Sequence, residues 1–154
     1  MSTDADDRDW VTRAVELATA NARAGGRPFG AVVTRDGEIL AQGVNTVAED
    51  GDPLAHAEVQ ALRAAARALG TEDLAGATVA ASCEPCPVCQ AAAALLGVTR
   101  LVYGASKEEA SALGFPLAPA PAAMQRLWRE AGHQEIAQVD VEDAGAPFRA
   151  YAER

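Results

Sequence analysis

Two short stretches of the sequence, about thirty residues apart, contain side chains that can bind a metal ion. The first holds His56 and Glu58, and the second, P-C-P-V-C at residues 85–89, holds Cys86 and Cys89. One imidazole and two thiolates suit zinc, and three protein ligands leave a fourth position open to water. A carboxylate that is left over can act as a base beside that water. The two stretches therefore predict a hydrolytic site with one zinc ion per chain, ligated by the histidine and the two cysteines.

A third cysteine leaves a second interpretation of this metal site open. Cys83, Cys86 and Cys89 lie within seven residues, a spacing that is poor for disulfides and typical of metal clusters. Together with His56 they could form a closed Cys3His site, which would be saturated and non-catalytic. Because that interpretation leaves Glu58 without a role, we favour the open site.

Both stretches fall at the start of a predicted helix. Apolar residues recur at helical spacing over residues 55–69, and residues 86–96 form a short, mostly apolar helix. Cys86 and Cys89 are three residues apart, so both thiols can lie on one helix face. A helix N-terminus favours thiolate over thiol. If the two helices are neighbours, their positive ends meet at the metal.

Glu58 is predicted to be the catalytic residue rather than a ligand. It lies two residues from His56, and side chains at that spacing face different ways on a regular helix. The pair can converge if His56 occupies the helix cap. Glu58 would then shuttle protons, taking one from the attacking water and returning it to the leaving group.

The remaining elements alternate between strands and helices. Asp36-Gly37 between two apolar runs predicts a hairpin. We expect residues 1–8 to fray, Asp9 to cap the first helix, and residues 45–53 to form a loop. The predicted helices are 10–24, 55–69, 86–96, 106–113, 122–131 and a final turn at 147–153, and the predicted strands are 29–34, 38–44, 77–82, 98–103 and 135–141. This alternation predicts one three-layer α/β domain over residues 1–154.

Charge and composition restrict the partners. The formal net charge is −9, which weighs against nucleic acid, because binding a phosphate backbone requires clustered basic residues. No apolar run approaches the roughly 18 residues that would span a membrane. The first seven residues are acidic and polar rather than basic and then apolar. We therefore predict a cytoplasmic protein without membrane association.

Four motifs resemble those of the cytidine-deaminase-like superfamily. They are P-F-G-A-V-V at 28–33, G-V-N at 43–45, D-P-L-A-H-A-E-V at 52–59 and S-C-E-P-C-P-V-C at 82–89. The pair formed by H-A-E and P-C-x-x-C is the signature of zinc-dependent nucleobase deaminases. Within the superfamily the chain is most similar to the small, zinc-type guanine deaminases of bacteria, and the likeness extends from about residue 10 to the end of the sequence.

The resemblance implies a cytidine-deaminase-like α/β/α fold with a mixed five-stranded sheet between helices. It implies a homodimer in which C-terminal segments are exchanged and help to cover the active site. The implied reaction is hydrolysis of guanine to xanthine and ammonia. In the family, the positions of Asn45 and Phe29 bind and stack the base, and we expect Ala57 and Glu84 to contact the substrate as well.

One departure from the family pattern leaves the substrate open. Guanine deaminases typically carry acidic residues after the pair that corresponds to Gly114-Phe115, and one of these reads the purine edge; here Pro116 and Leu117 follow. A replacement carboxylate could come from Glu84, Glu142 or Asp143. Cytosine or an s-triazine is therefore an alternative substrate.

Two other functions are alternatives to deamination of a free base. A tRNA adenosine deaminase shares both metal motifs, but such enzymes typically carry basic residues near the C-terminus, where this chain has Glu142 and Asp143. A non-catalytic zinc-binding module would require a lost general base, whereas Glu58 is present.

Overall fold

Five strands form one mixed sheet at the centre of the computed structural model, which describes residues 3–118, 121–123, 126, 130 and 134–154. The strand order is β2-β1-β3-β4-β5, with β1 antiparallel to β2 and β3, and with β3, β4 and β5 parallel. The strands are β1 (Gly30–Arg35), β2 (Glu38–Val44), β3 (Thr78–Cys83), β4 (Arg100–Ala105) and β5 (Glu135–Gln138). The predicted α/β fold with a mixed five-stranded sheet is confirmed.

Helices cover both faces of the sheet because successive strand residues point to opposite sides. On one face, Val32, Ala80 and Val102 pack with Trp10 and Val11. On the other face, Ala31, Val33, Val79 and Leu101 pack with Ala61 and Leu62. The helices are α1 (Asp4–Arg23), α2 (Val47–Asp50), α3 (Ala57–Leu69), α4 (Pro87–Leu95), α5 (Lys107–Ala112) and α6 (Ala146–Ala152). Among the described residues, no helix combines the length and apolar composition needed to cross a membrane.

The predicted hairpin is present. Arg35 pairs with Glu38, so the connection between β1 and β2 has only two residues. Asp36 and Gly37 have φ values of 54° and 79°, and positive φ at both central residues defines the turn type that matches the twist of the flanking strands.

The predicted start of the first helix is wrong. Helix α1 begins at Asp4, where Thr3 and Asp6 form a reciprocal capping box. The buried Asp7 accepts hydrogen bonds of 2.8 and 2.6 Å from Arg100 on β4. Residues 4–8 are therefore helical rather than frayed, and Asp9 lies inside the helix instead of capping it.

The other boundaries shift by a few residues. The predicted loop 45–53 contains the short helix α2, and β5 ends at Gln138 rather than at residue 141. The predicted helix 122–131 lies largely outside the described residues.

A close contact between α3 and β2 sets the position of the first metal-binding stretch. A Cβ atom added to Gly43 would lie 2.5 Å from both the Ala57 carbonyl oxygen and the Ala61 amide nitrogen. Only glycine permits this approach, so the N-terminal turn of α3 lies directly on the sheet.

Candidate active site

The two metal-binding stretches meet where α3 and α4 begin. His56 is the N-cap residue of α3, with extended backbone angles of −67° and 153°. Cys86 is the N-cap residue of α4, and Cys89 lies in the first turn of that helix. Neither cap residue uses its side chain to cap its own helix. The imidazole and the thiols are therefore left for a metal ion.

The spacing of the three candidate ligands fits zinc. His56 Nδ1 lies 3.5 Å from Cys86 Sγ and 3.5 Å from Cys89 Sγ, and the two sulfurs are 3.6 Å apart. Tetrahedral zinc with Zn–S of about 2.3 Å and Zn–N of about 2.0–2.1 Å requires N···S of about 3.5 Å and S···S of about 3.8 Å. The agreement supports one zinc ion held by these three residues.

Cys83 lies apart from this group. Among the described residues, the cluster whose ligand atoms all lie within 4.8 Å of one another consists of His56, Cys86 and Cys89. Cys83 ends β3 and is buried against Ala105 and Phe148. Burial raises the pKa of its thiol to about 12, which disfavours the thiolate that zinc binding requires. This geometry favours the open three-ligand site over the closed Cys3His site.

Glu58 is buried beside the ligands. Its side chain projects from the first turn of α3, and its Oε2 accepts a hydrogen bond from Cys89 Sγ at 3.2 Å. Only 8% of the residue is exposed, and this desolvation raises the pKa of the carboxyl group. A buried carboxyl group with raised proton affinity can accept a proton and later donate it.

The three candidate ligands hold their protons unequally. The hydrogen bond between the two sulfurs lowers the pKa of Cys86 to about 4 and raises the pKa of Cys89. The hydrogen bond with Cys86 raises the pKa of His56. The thiol pair therefore loses its first proton readily from Cys86, whereas Cys89 and His56 hold their protons more strongly, and zinc binding would displace those protons.

A cavity of about 260 Å³ opens over the candidate ligands and Glu58. All four predicted substrate contacts, Phe29, Asn45, Ala57 and Glu84, lie in its wall. Its other lining residues are Arg27, Lys107, Phe115, Leu117 and Ala118. The cavity is slightly smaller than the about 300–1,000 Å³ typical of pockets for drug-sized ligands. Its size suits one aminated heterocycle.

Of the three carboxylates considered as substitutes for the missing family acid, only Glu84 lines the cavity. Its Oε2 accepts a hydrogen bond of 3.1 Å from the Lys107 backbone N–H. Asp143 is exposed and paired with Arg149, and Glu142 is exposed on a different surface. Leu117, at the family's acidic position, makes that part of the wall apolar.

The backbone fixes the orientation of Asn45. Its Oδ1 accepts a hydrogen bond from the Val47 N–H at 3.0 Å, and its own N–H donates to the Phe29 carbonyl at 3.1 Å. Its Nδ2 group donates to none of the residues that the structure describes, so it is available to an acceptor on a ligand. Asn45 thus acts both as a turn residue and as a cavity residue.

An aromatic cluster supports the opposite wall. The rings of Phe29 and Phe115 meet edge to face with centroids 5.3 Å apart, and both lie within 6 Å of the Phe148 ring. Phe148 belongs to α6, so the last helix of the chain supports the cavity from below. This packing holds the Phe29 ring in a fixed orientation at the cavity wall.

Sequence reasoning missed two basic cavity residues, Arg27 and Lys107. Arg27 precedes the P-F-G-A-V-V motif, and Lys107 is the only lysine in the sequence. Neither belongs to a recognisable motif, although the position of Arg27 beside the motif was an available signal.

The fold, the ligand spacing and the buried carboxyl together define a zinc-dependent deaminase. Residues 4–105 match the family described as the cytidine and deoxycytidylate deaminase zinc-binding region, and the chain belongs to this family. The resemblance inferred from the motifs is thereby confirmed.

Individual relatives include enzymes for free bases and for tRNA. The chain is 43% identical over 107 residues to guanine deaminase of Bacillus subtilis, covering 69% of each protein. It is 40% identical over 106 residues to the tRNA-specific adenosine deaminase of Agrobacterium fabrum, covering 66% of this chain and 70% of that enzyme. A solved guanine deaminase from Nitrosomonas europaea superimposes with a TM-score of 0.81 at 31% identity, covering 96% of this chain and 85% of that one.

Proposed function

We propose that this chain is a zinc-dependent hydrolase that removes the exocyclic amine of a free nucleobase, with guanine as the leading substrate and xanthine and ammonia as products. The observation that carries the proposal is the set of three ligand atoms at tetrahedral spacing beside a buried carboxyl group in a small cavity. The similarity to guanine deaminases along most of the chain supports guanine in particular.

The chain's own residues account for proton transfer. A bound zinc ion would supply a strong nucleophile at neutral pH by lowering the pKa of water toward about 7. Glu58 accepts the proton from the attacking water at its carboxylate, because its buried position raises its proton affinity. The same group then donates to a ring nitrogen and finally to the leaving amine, as general acid–base catalysis requires.

Four wall residues hold the ring. Phe29 offers a fixed aromatic face for stacking, and its T-shaped contact with Phe115 keeps that face in place. The Asn45 amide donates from Nδ2 to an acceptor on the base edge. The Ala57 N–H belongs to the first turn of α3, whose amides have no acceptor within the helix, so it is a second donor to the substrate. Glu84 provides the acceptor for an N–H of the ring.

Deamination of tRNA is the alternative function. The tRNA-specific adenosine deaminase relatives support it at the level of family similarity. The net charge of −9 opposes it, because a polyanion must be held by clustered basic residues. Arg27 and Lys107 are the two basic residues of the cavity wall, and two cations do not form the basic surface that an anticodon arm requires.

A substrate panel tests the proposal directly. Zinc-loaded protein is incubated with guanine, cytosine, adenine, their nucleosides, aminotriazines and tRNA, and ammonia release is measured. We expect about one zinc per chain and the highest kcat/KM for guanine. A preference for cytosine or an aminotriazine would keep the reaction class and replace the substrate, whereas activity on tRNA alone would reject the proposal.

We propose further that the enzyme acts in the cytoplasm as a homodimer. Exposed apolar side chains on α4 support a partner surface beside the metal site: Val88 is 43% exposed and Leu95 is 85% exposed. In the single chain, α6 packs against α1 and buries Phe148 in its own core, so an exchanged C-terminal segment would make these contacts in a second copy.

Light scattering after gel filtration tests the dimer. A dimeric mass that becomes monomeric in Leu95→Glu supports this surface. A monomeric mass for the unaltered protein rejects the dimer.

A further inference from the structure

Two basic side chains line the cavity of this acidic protein. Arg27 and Lys107 both line the cavity that holds the candidate ligands and Glu58. Neither forms an ion pair with any residue in the described part of the chain, whereas Arg13, Arg63, Arg100 and Arg149 each have an acidic partner. The proton-transfer scheme above uses neither cation.

Both residues project from well-fixed backbone. The Arg27 carbonyl accepts hydrogen bonds from Asn21 Nδ2 at 2.8 Å and from the Phe29 N–H at 2.9 Å. The Lys107 N–H donates to Glu84 at 3.1 Å at the start of α5, which Ser106 and Glu109 cap. Fixed backbone reduces the freedom that a side chain must lose on binding a ligand. The two cations are therefore positioned as binding groups.

The hydrogen-bonding groups of guanine indicate which atoms Arg27 and Lys107 would bind. The amine of guanine is on C2, so that carbon must face the metal and Glu58. The O6 and N7 atoms lie on another edge of the ring, and both are hydrogen-bond acceptors. Arginine and lysine have only donors and bind this O6/N7 edge preferentially in other proteins. Arg27 is exposed and lines the cavity, so its guanidinium group reaches the cavity from the outer rim.

We propose that Arg27 and Lys107 are specificity-determining residues that bind the acceptor edge of the substrate, O6 and N7 in guanine. This inference rests on the proposed function. A base that carries a donor at position 6 places that donor against the two cations and offers them no acceptor there. A site built for one hydrogen-bonding pattern rejects analogues that lack it.

The test compares guanine with 2,6-diaminopurine, which keeps the C2 amine and replaces O6 with an amino group. The variants are Arg27→Gln and Lys107→Met. Arg67→Gln, at an exposed position in the last turn of α3, is the matched control. Zinc content, kcat/KM for both bases, and Kd for both bases in a Glu58→Gln background are measured for each protein.

We expect the ratio of kcat/KM for guanine to that for 2,6-diaminopurine to fall about 5- to 150-fold in Arg27→Gln, and in the same direction in Lys107→Met. The Kd ratio should change in parallel, while zinc content and the Arg67→Gln ratio stay unchanged. The Kd ratio and the zinc content together distinguish altered substrate recognition from damage to the metal site.

Three outcomes would overturn the inference. A protein that neither binds nor deaminates guanine refutes the proposed function and this inference with it. A guanine deaminase whose ratios are unchanged in both variants refutes this inference alone. Unchanged free-base ratios with weaker binding of guanosine monophosphate would show that the cations hold a phosphate, which also refutes it.

Discussion

Glu58 is a buried residue whose proposed role is proton transfer. Its carboxyl group contacts Cys89 and lies in the cavity wall, and burial raises its pKa. We predict that Glu58→Gln retains about one zinc per chain and lowers kcat by about 10²- to 10⁴-fold, because the amide fills the same space without transferring protons. Zinc analysis and ammonia release measure the two effects separately.

Glu49→Gln, at an exposed position in α2, is the control and should leave kcat unchanged. Full turnover in Glu58→Gln would remove Glu58 from the proton-transfer role.

The three cysteines lie in different environments. Cys83 packs into an apolar cluster, while Cys86 and Cys89 lie 3.5 Å from His56 Nδ1. We predict that Cys83→Ser keeps one zinc per chain, whereas Cys86→Ser loses most of it, because zinc prefers thiolate to a hydroxyl ligand. Metal analysis after gel filtration tests both. Zinc loss in Cys83→Ser with the fold intact by circular dichroism would revive the closed Cys3His site.

At the residue scale, ligand type and spacing were enough to predict which side chains meet. His56, Cys86 and Cys89 could be named because few arrangements satisfy a metal ion. The separate place of Cys83 could not be derived from spacing, since it depends on the exact end of β3 and the direction of its last side chain. Arg27 and Lys107 belong to no periodic pattern or motif, and an isolated basic residue is usually solvated.

At the element scale, the approach of α3 to β2 controls the site. We predict that Gly43→Ala lowers the free energy of unfolding by about 1–3 kcal/mol and also lowers kcat, because the added methyl group meets the backbone of α3 and displaces His56 and Glu58. Urea denaturation and ammonia release measure the two losses.

Glu38→Ala, at an exposed position of the same strand, is the control, with an expected change within about 0.5 kcal/mol. An unchanged kcat in Gly43→Ala would mean that this contact does not set the catalytic geometry.

Elements were predictable where their pattern was apolar. The two-residue hairpin followed from Asp36-Gly37, and both helices that carry ligands followed from apolar spacing and a terminal glycine. Apolar spacing did not predict the first turn of α1, because Asp4, Asp6 and Asp7 are polar. They are stabilised by the capping box with Thr3 and by the distant Arg100. A contact 93 residues away cannot be read from local sequence.

At the scale of the whole molecule, charge separates the two candidate substrate classes. We predict no measurable binding of a tRNA anticodon arm at 150 mM salt and only weak binding at 50 mM, because the net charge of −9 repels a polyanion. Fluorescence anisotropy with labelled RNA measures this. Binding below about 1 μM at 150 mM salt, with a steep salt dependence, would favour the tRNA reading.

The fold class followed from the alternation of strands and helices, since few architectures accommodate that order. The order of strands in the sheet, β2-β1-β3-β4-β5, depends on pairings between distant segments and required the structure. Likewise, six separate stretches of the chain line the cavity, and no single stretch of sequence reveals its wall.

One amide connects two of these parts. Asn21 Nδ2 donates to the carbonyl of Arg27 at 2.8 Å and to the carbonyl of Asn45 at 3.0 Å. The loop that presents a cation and the loop that presents a base-binding amide therefore share one anchor on α1. A substitution at Asn21 would therefore alter both loops at once. Directed evolution toward a new base would keep Asn21 fixed, so that both loops stay anchored, and would vary Arg27 and Asn45.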